Sequence, residues 1–502
     1  MELFDSLILG FSVAATPENI LFCFVGCFLG TAIGVLPGVG PLATIAMLMP
    51  ITYSLSPTTA LIMLAGIYYG SLYGGSTTAI LLNLPGESAS AVTTIDGHKM
   101  AQQGRAGAAL TVAALGSFFA GTVVTLAIAL VAGPMTQIAL SFGAHEYFAL
   151  IALGLVLSVS LASGSIINAV GLIVLGLLFG LTGTDVYTGI PRFTWGIIEL
   201  QDGMDIVAIS VGLFGISEIL RNLEGEKDRG LPKNLKTGRL WLTRDDFRRS
   251  VGPVLRGTGL GAVLGVLPGG GALLSSFASY AMEKRVSKHP QQFGQGAIEG
   301  VAGPESANNA GSQSAFIPML SLGVPGNAVT ALMLGALILQ GITPGPNIIN
   351  TEPELFWGLI ASMWIGNLML VILNLPLIGL WVTMLKVPYR ILFPAILVFC
   401  SIGVFSVTNN AFPVFQITIF GILGYIFFKL DAEPAPFILG FILGPLLEEH
   451  FRRAMIISDG NVLSLFEHPI SAVLLSLAII ALATVSLPFF RKQREVIFVE
   501  KD

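Results

Sequence analysis

Apolar residues fill most of this chain in long runs, at 107–133, 147–162, 166–181, 356–385, 391–407, 412–428 and 469–490. None shows the strict polar–apolar alternation of an outer-membrane strand, which argues against a barrel. Most are long enough, or nearly so, to carry a helix across roughly 30 Å of hydrocarbon. The pattern predicts an all-α integral membrane protein with about 10–12 transmembrane segments.

The interruptions are as informative as the runs. Gly34-Val35-Leu36-Pro37-Gly38-Val39-Gly40 returns as Gly265-Val266-Leu267-Pro268-Gly269-Gly270-Gly271, each copy inside an apolar stretch. Pro lacks the amide hydrogen and Gly costs backbone entropy, so neither copy continues a regular helix. In hydrocarbon a broken helix is tolerated only where it is buried in protein or lines a cavity. Paired breaks in the two halves of a membrane chain point to a transporter's binding site. Further along, Gly74-Gly75-Ser76-Thr77-Thr78 leads to Asn83-Leu84-Pro85-Gly86-Glu87, and Gly311-Ser312-Gln313-Ser314 leads to Gly323-Val324-Pro325-Gly326-Asn327. Each half is expected to carry a Pro-Gly loop, a Gly-hydroxyl loop and a second Pro-Gly loop. These read as discontinuous helices whose re-entrant hairpin tips meet near the bilayer midplane.

Charge adds orientation. Of 502 residues, 54% are hydrophobic and 11% charged, against roughly 25% charged in soluble domains. No Lys or Arg precedes Lys99; His98, Lys99 and Arg105 then mark 98–105, and 221–249 is rich in Lys and Arg. The positive-inside rule makes both segments cytoplasmic, with Arg491, Lys492 and Arg494 placing the end of the chain inside. The N-terminus faces outward, as does 183–205, where Asp185, Glu199, Asp202 and Asp205 outweigh Arg192. No basic n-region precedes the first apolar segment, which is expected to stay as a membrane helix. The first Pro-Gly loop is approached from a non-basic start and leads to a basic loop. The second is approached from the basic segment and leads to 341–354, which holds Glu352 and Glu354 but no Lys or Arg. This sign reversal predicts two inverted-topology repeats. The expected organisation is a first membrane repeat at 1–220, a cytoplasmic basic linker at 221–250, an inverted repeat at 251–490 and a cytoplasmic tail at 491–502.

A broken helix exposes N–H groups suited to anions and C=O groups suited to Na⁺. Candidate substrate ligands are Gly38, Gly40, Gly269 and Gly271 at the first loops, with Ser76, Thr77, Thr78, Asn308, Asn309, Ser312, Gln313 and Ser314 nearby. Candidate cation ligands are Pro37, Asn83, Gly86, Glu305, Gly326 and Asn327. No Lys or Arg lies in these loops, so an anion would be held by dipoles, hydroxyls, amides and a co-bound cation. The plainer reading of Ser and Thr is close helix packing. Glu305 reads as a cation ligand, a proton acceptor or a helix cap, and Glu87 as a helix N-terminal charge or a site residue. Asp96 and His98 read as solvated surface beside the basic loop, and His145 and Glu146 as interfacial. Cys23, Cys27 and Cys400 read as small buried hydrophobes, with no disulfide expected between the first two. No Walker sequence, H-E-x-x-H or metal-spaced Cys/His cluster is present, so no cofactor, no metal beyond Na⁺ and no ATP hydrolysis by that route are expected. A cytoplasmic loop explains the basic segment without nucleic acid. A passive channel stays open as an alternative; an intramembrane enzyme lacks a nucleophile–base constellation.

The stretch Gly30-Thr31-Ala32-Ile33-Gly34-Val35-Leu36-Pro37-Gly38-Val39-Gly40-Pro41 resembles the large membrane subunit of tripartite tricarboxylate transporters, the TctA type. The likeness continues through Tyr69-Gly70-Ser71-Leu72-Tyr73-Gly74-Gly75-Ser76-Thr77-Thr78 to Asn83-Leu84-Pro85-Gly86, and resumes at Pro304-Glu305-Ser306-Ala307-Asn308-Asn309-Ala310 and Leu322-Gly323-Val324-Pro325-Gly326. The resemblance implies a bacterial inner-membrane secondary transporter, not an enzyme. It implies a small membrane subunit and a periplasmic solute-binding protein as partners, with membrane lipid around the chain and a homodimer as one assembly open to it. The implied substrates are carboxylates, such as citrate and other di- or tricarboxylates, imported with Na⁺ or H⁺ as coupling ion. An elevator-type alternating-access movement is the mechanism this architecture suggests.

Overall fold

The computed structural model describes residues 3–36, 40–161, 165–224, 240–267, 271–345, 347–384 and 389–486. Pro37, Gly38, Pro268 and Gly269 lie outside the described residues, as do 225–239 of the basic segment and the tail. Among the described residues the regular structure is helical apart from one two-stranded hairpin, β1 (Gly183–Thr184) with β2 (Pro191–Arg192). The first half runs α1 (Leu3–Ala14), α2 (Pro17–Gly34), α3 (Gly40–Thr52), α4 (Pro57–Leu82), α5 (Ala106–Leu140), α6 (Ala144–Leu161) and α7 (Ile166–Gly180). The second runs α8 (Arg244–Leu264), α9 (Gly271–Val286), α10 (Glu299–Ser314), α11 (Phe316–Leu322), α12 (Ala328–Leu339) and α13 (Pro353–Asn374). It closes with α14 (Ile378–Met384), α15 (Tyr389–Thr408), α16 (Phe412–Lys429), α17 (Ala435–Ile457) and α18 (Pro469–Ser486). Among the described residues, Pro17–Gly34, Ala106–Pro134, Pro353–Asn374 and Phe412–Lys429 are long and apolar enough to cross a bilayer alone. Six shorter apolar helices accompany them. Large apolar side chains such as Leu126, Leu130, Ile402, Phe415 and Ile419 stand on the outside, as a lipid-facing surface requires. The apolar run at 356–385 is broken by a turn at 375–377 into α13 and α14.

Local sequence sets the helix ends. Thr16 and Ser56 cap α2 and α4 by accepting the amides of Asn19 and Thr59, each followed by Pro at the first helical position. Asn83 ends α4 and Gly323 ends α11, both in the left-handed region at φ 59° and 67°. Pro85-Gly86 and Pro325-Gly326 follow. Glu87 and Asn327 then start the next helical segments through reciprocal capping boxes with Ser90 and Thr330.

The two halves repeat one packing register. A side chain at Gly26, Gly30 or Gly34 of α2 would strike the backbone carbonyls of Met63, Ile67 and Ser71 on α4. Gly257, Gly261 and Gly265 of α8 face Gly303, Ala307 and Gly311 of α10 in the same spacing. Both ladders are small-residue seams that let helices approach to backbone contact. Aligning them sets Tyr68 against Asn308 and Tyr73 against Gln313, and the equivalent residues exchange partners. Tyr68 accepts from Asn327 Nδ2 at 3.2 Å, while Asn308 donates to Glu87 Oε1 at 3.3 Å. Tyr73 donates to Asn367 on α13 at 2.9 Å, while Gln313 accepts from Thr125 on α5 at 2.8 Å. Glu87 and Asn327 are themselves equivalent in this register, so the first pair of bonds is exchanged between matching positions.

Two expectations are corrected. Gly74–Thr78 does not break its helix, since α4 runs on to Leu82, whereas Gly311–Ser314 forms the last turn of α10, which ends there before α11 starts at Phe316. The hydroxyls of Ser76, Thr77 and Thr78 bond back to the carbonyls of Leu72, Tyr73 and Gly74, which keeps them compatible with helix. Asp96 is not solvated but fully buried. Its carboxylate accepts from the Tyr280 hydroxyl and from the amides of Gly294, Gly296 and Ala297, all at 2.8–2.9 Å. It thereby pins the loop before α10 to the turn after α4. Arg249 pairs with Glu299, Arg256 with Glu283 and Arg105 with Asp246 around the same end of the molecule. Elsewhere, Arg192 and Arg452 clamp Asp185 and Glu448, fixing the 181–205 loop to α17. Backbone donation from Tyr187, with Arg452 and Arg192 beside it, holds the Asp185 carboxyl below its ordinary range.

Candidate functional site

Glu305 lies in the interior of α10, 1% exposed. It is therefore not a helix cap. Ser76 Oγ of α4 donates to its Oε2 at 2.6 Å. Thr93, in the short helical turn after the first Leu-Pro-Gly break, donates to its Oε1. Ser117 of α5 donates to its backbone carbonyl at 3.3 Å and accepts from Asn309 Nδ2 at 2.7 Å. Both halves of the chain therefore meet on this one carboxylate. Among the described residues no ion pair involves Glu305. Hydroxyls solvate a buried carboxylate but do not neutralise it, and a lone charge at depth costs several kcal/mol or more.

Glu87, half-buried, stands beside this group. Its Oε2 accepts the Ala89 amide at 2.9 Å and its Oε1 accepts from Asn308. The Asn308 Oδ1 is a buried acceptor without a partner among the described residues. On the other side of the crossing, Tyr68, Tyr69 and Phe316 pack as an aromatic cluster with ring centroids 5.9–6.5 Å apart. A cavity of about 10 Å³, lined by Tyr73, Ser76, Thr77, Ser117 and Asn374, adjoins Ser76. It has room for about one water. Any solute larger than water needs these helices to part.

The expected site residues thus separate into groups. Ser76, Glu305, Asn308 and Asn309 converge, and Thr77 lines the adjoining cavity. Ser312 bonds to the Asn309 carbonyl and lies beneath the same helix face. Gln313 instead joins α10 to α5. Thr78 donates to Val35 O and Ser314 to Gly261 O, so both fasten α4 and α10 to the ends of the preceding ladder helices. Asn83 is a left-handed helix end, and Gly86 and Gly326 sit against Gly75 and Ala315 where the backbones nearly touch. Asn327 caps α12 and reaches Tyr68. Gly40 and Gly271 begin α3 and α9 with φ 56° and 41°, and Gly271 abuts the Asn327 amide. Thr93, Ser117, Tyr68, Tyr73 and Asn367 belong to these networks and were not anticipated. Asn367 and Asn374 are amides inside an otherwise apolar run, a signal the sequence did carry.

Helices interrupted at Leu84-Pro85-Gly86 and Val324-Pro325-Gly326 and packed around a buried carboxylate, inside a multi-pass helical protein, fit a membrane transport component. The family follows from sequence comparison. Residues 20–439 match the tripartite tricarboxylate transporter TctA family, and the chain belongs to that family. It is 61% identical, over the full length of both chains, to an uncharacterized 52.8 kDa protein in the TAR-I ttuC' 3'region of Agrobacterium vitis. It is 62% identical over 242 residues, 48% of this chain and all of the other, to an uncharacterized protein in the TAR-II ttuC' 3'region of the same organism. No solved structure matches the chain.

Proposed function

We propose that this protein is the substrate-translocating subunit of a bacterial inner-membrane carboxylate importer. It takes a di- or tricarboxylate from a periplasmic binding protein, works with a small membrane subunit, and uses a Na⁺ or H⁺ gradient. Its halves are inverted repeats whose broken ends form the solute and cation sites. Translocation proceeds by alternating access of an elevator type. The observation that carries this reading is Glu305, buried and held by Ser76 and Thr93 from the other half of the chain, with no cationic partner among the described residues. A group in that state takes up a cation or proton with the solute and releases it when the site opens to the other side. Asn308, Asn309, Ser76 and Thr77 supply neutral donors and acceptors for carboxylate oxygens. The reversed charge pattern of the halves and the exchanged bonds of Tyr68 and Asn308 support the inversion.

The experiment is labelled-carboxylate uptake in proteoliposomes, driven by an imposed Na⁺ or H⁺ gradient and compared with counterflow exchange. Glu305→Gln is expected to lose at least tenfold in gradient-driven accumulation while still exchanging solute. Unchanged gradient dependence in that variant contradicts the coupling role. Accumulation by the unaltered protein also excludes a passive channel.

A further inference from the structure

The starts of α6 and α18 bring together His145, Glu146 and His468. One donor atom from each lies within 4.8 Å of the others. His145 and Glu146 are buried, and His468, just before α18, is half exposed. The two imidazoles stack face to face with centroids 4.0 Å apart. His468 Nδ1 stands 3.4 Å from Glu146 Oε1, whose other oxygen is held by the Gly143 amide at 2.8 Å. Ser464 Oγ lies 3.3 Å from His145 Nε2.

We propose that His145, Glu146 and His468 form a binding site for a divalent transition metal of the zinc class. Two neutral imidazoles and one carboxylate are the donor set that Zn²⁺ favours, and a three-residue site leaves a fourth position for water. Ligand atoms around tetrahedral zinc are separated by about 3.3 Å; stacked rings cannot both aim their in-plane lone pairs at one ion, so metal binding requires the exposed His468 to leave the stack and turn edge-on to His145. Glu146 is already oriented by the Gly143 amide and His145 faces Ser464, the kind of outer support that fixes metal ligands. The charge pattern puts this end of α6 and α18 on the face opposite the basic loops. The metal would there tie the α5–α6 turn to the segment before α18.

Tag-free full-length protein in detergent, stripped with a chelator, tests this by calorimetric titration with Zn²⁺ and by the visible absorption of bound Co²⁺. Saturable binding of one ion per chain is expected. His468→Ala and Glu146→Gln should each weaken it at least tenfold. His450→Ala, altering a histidine stacked on neighbouring Tyr147 but outside the donor set, should leave it intact. His468→Cys keeps a donor and should retain binding, which separates ligand loss from misfolding. Absence of saturable binding, or binding indifferent to His145→Ala and His468→Ala, overturns the site.

Discussion

Single side chains show both the reach and the edge of what sequence discloses. Ser76, Asn308, Asn309 and Glu305 stood out because polar groups are costly at depth in an apolar chain; the structure joins Ser76 and Asn309 to Glu305 and turns Asn308 to the neighbouring Glu87. Thr93 and Ser117 were invisible because a hydroxyl in a membrane helix usually bonds back to its own backbone and signals nothing. Asp96 misled for another reason: its neighbours are charged, yet its four acceptor contacts come from 280–297, far along the chain. Asp96→Asn is expected to destabilise the protein by about 2–3 kcal/mol, since hydrogen bonds to a charged group are the strong ones. Tyr280→Phe, which removes one donor only, should cost about 1 kcal/mol. Thermal midpoints in detergent, with limited proteolysis of the 287–298 loop, measure the difference. Equal midpoints for Asp96→Asn and the unaltered protein would refute the pinning role.

Among the elements, the apolar runs located the long helices well, because hydrophobic length alone specifies them. The Leu-Pro-Gly break after α4 and the Val-Pro-Gly break after α11 were legible too, since Pro and Gly have few other uses there. The Gly-hydroxyl stretches were not. Glycine in a membrane helix marks close approach as often as a break, and those of α2 and α8 meet backbone carbonyls of α4 and α10. Gly261→Val should therefore abolish correctly folded protein, because its side chain would occupy the place of the Ala307 carbonyl and the Ala310 methyl. Gly259→Val on the same helix points into open space and should cost only about 1 kcal/mol or less. Yield of monodisperse protein on size-exclusion chromatography separates the two, and equal yields would show that the seam does not hold these helices.

For the molecule as a whole, the repeat is written twice. One copy is in sequence, as Gly-Val-Leu-Pro-Gly and Leu/Val-Pro-Gly pairs. The other is in contacts, as matched glycine ladders and bonds exchanged between equivalent residues. The exchange could not be read from sequence, because the equivalent residues differ in kind: Tyr68 against Asn308, Tyr73 against Gln313. That divergence gives the crossing a polar side at Glu305 and Asn309 and an aromatic side at Tyr69 and Phe316. The inversion belongs to the proposed function, and it requires an axis lying in the membrane plane. Labelling with a membrane-impermeant thiol reagent decides it. Gln102 and Asn350 are exposed positions downstream of the breaks in each half, and the native Cys23, Cys27 and Cys400 are buried. With cysteine placed at each in turn, Gln102→Cys should react only from the cytoplasmic side and Asn350→Cys only from the opposite side. Reaction of both from the same side would contradict the inverted duplication.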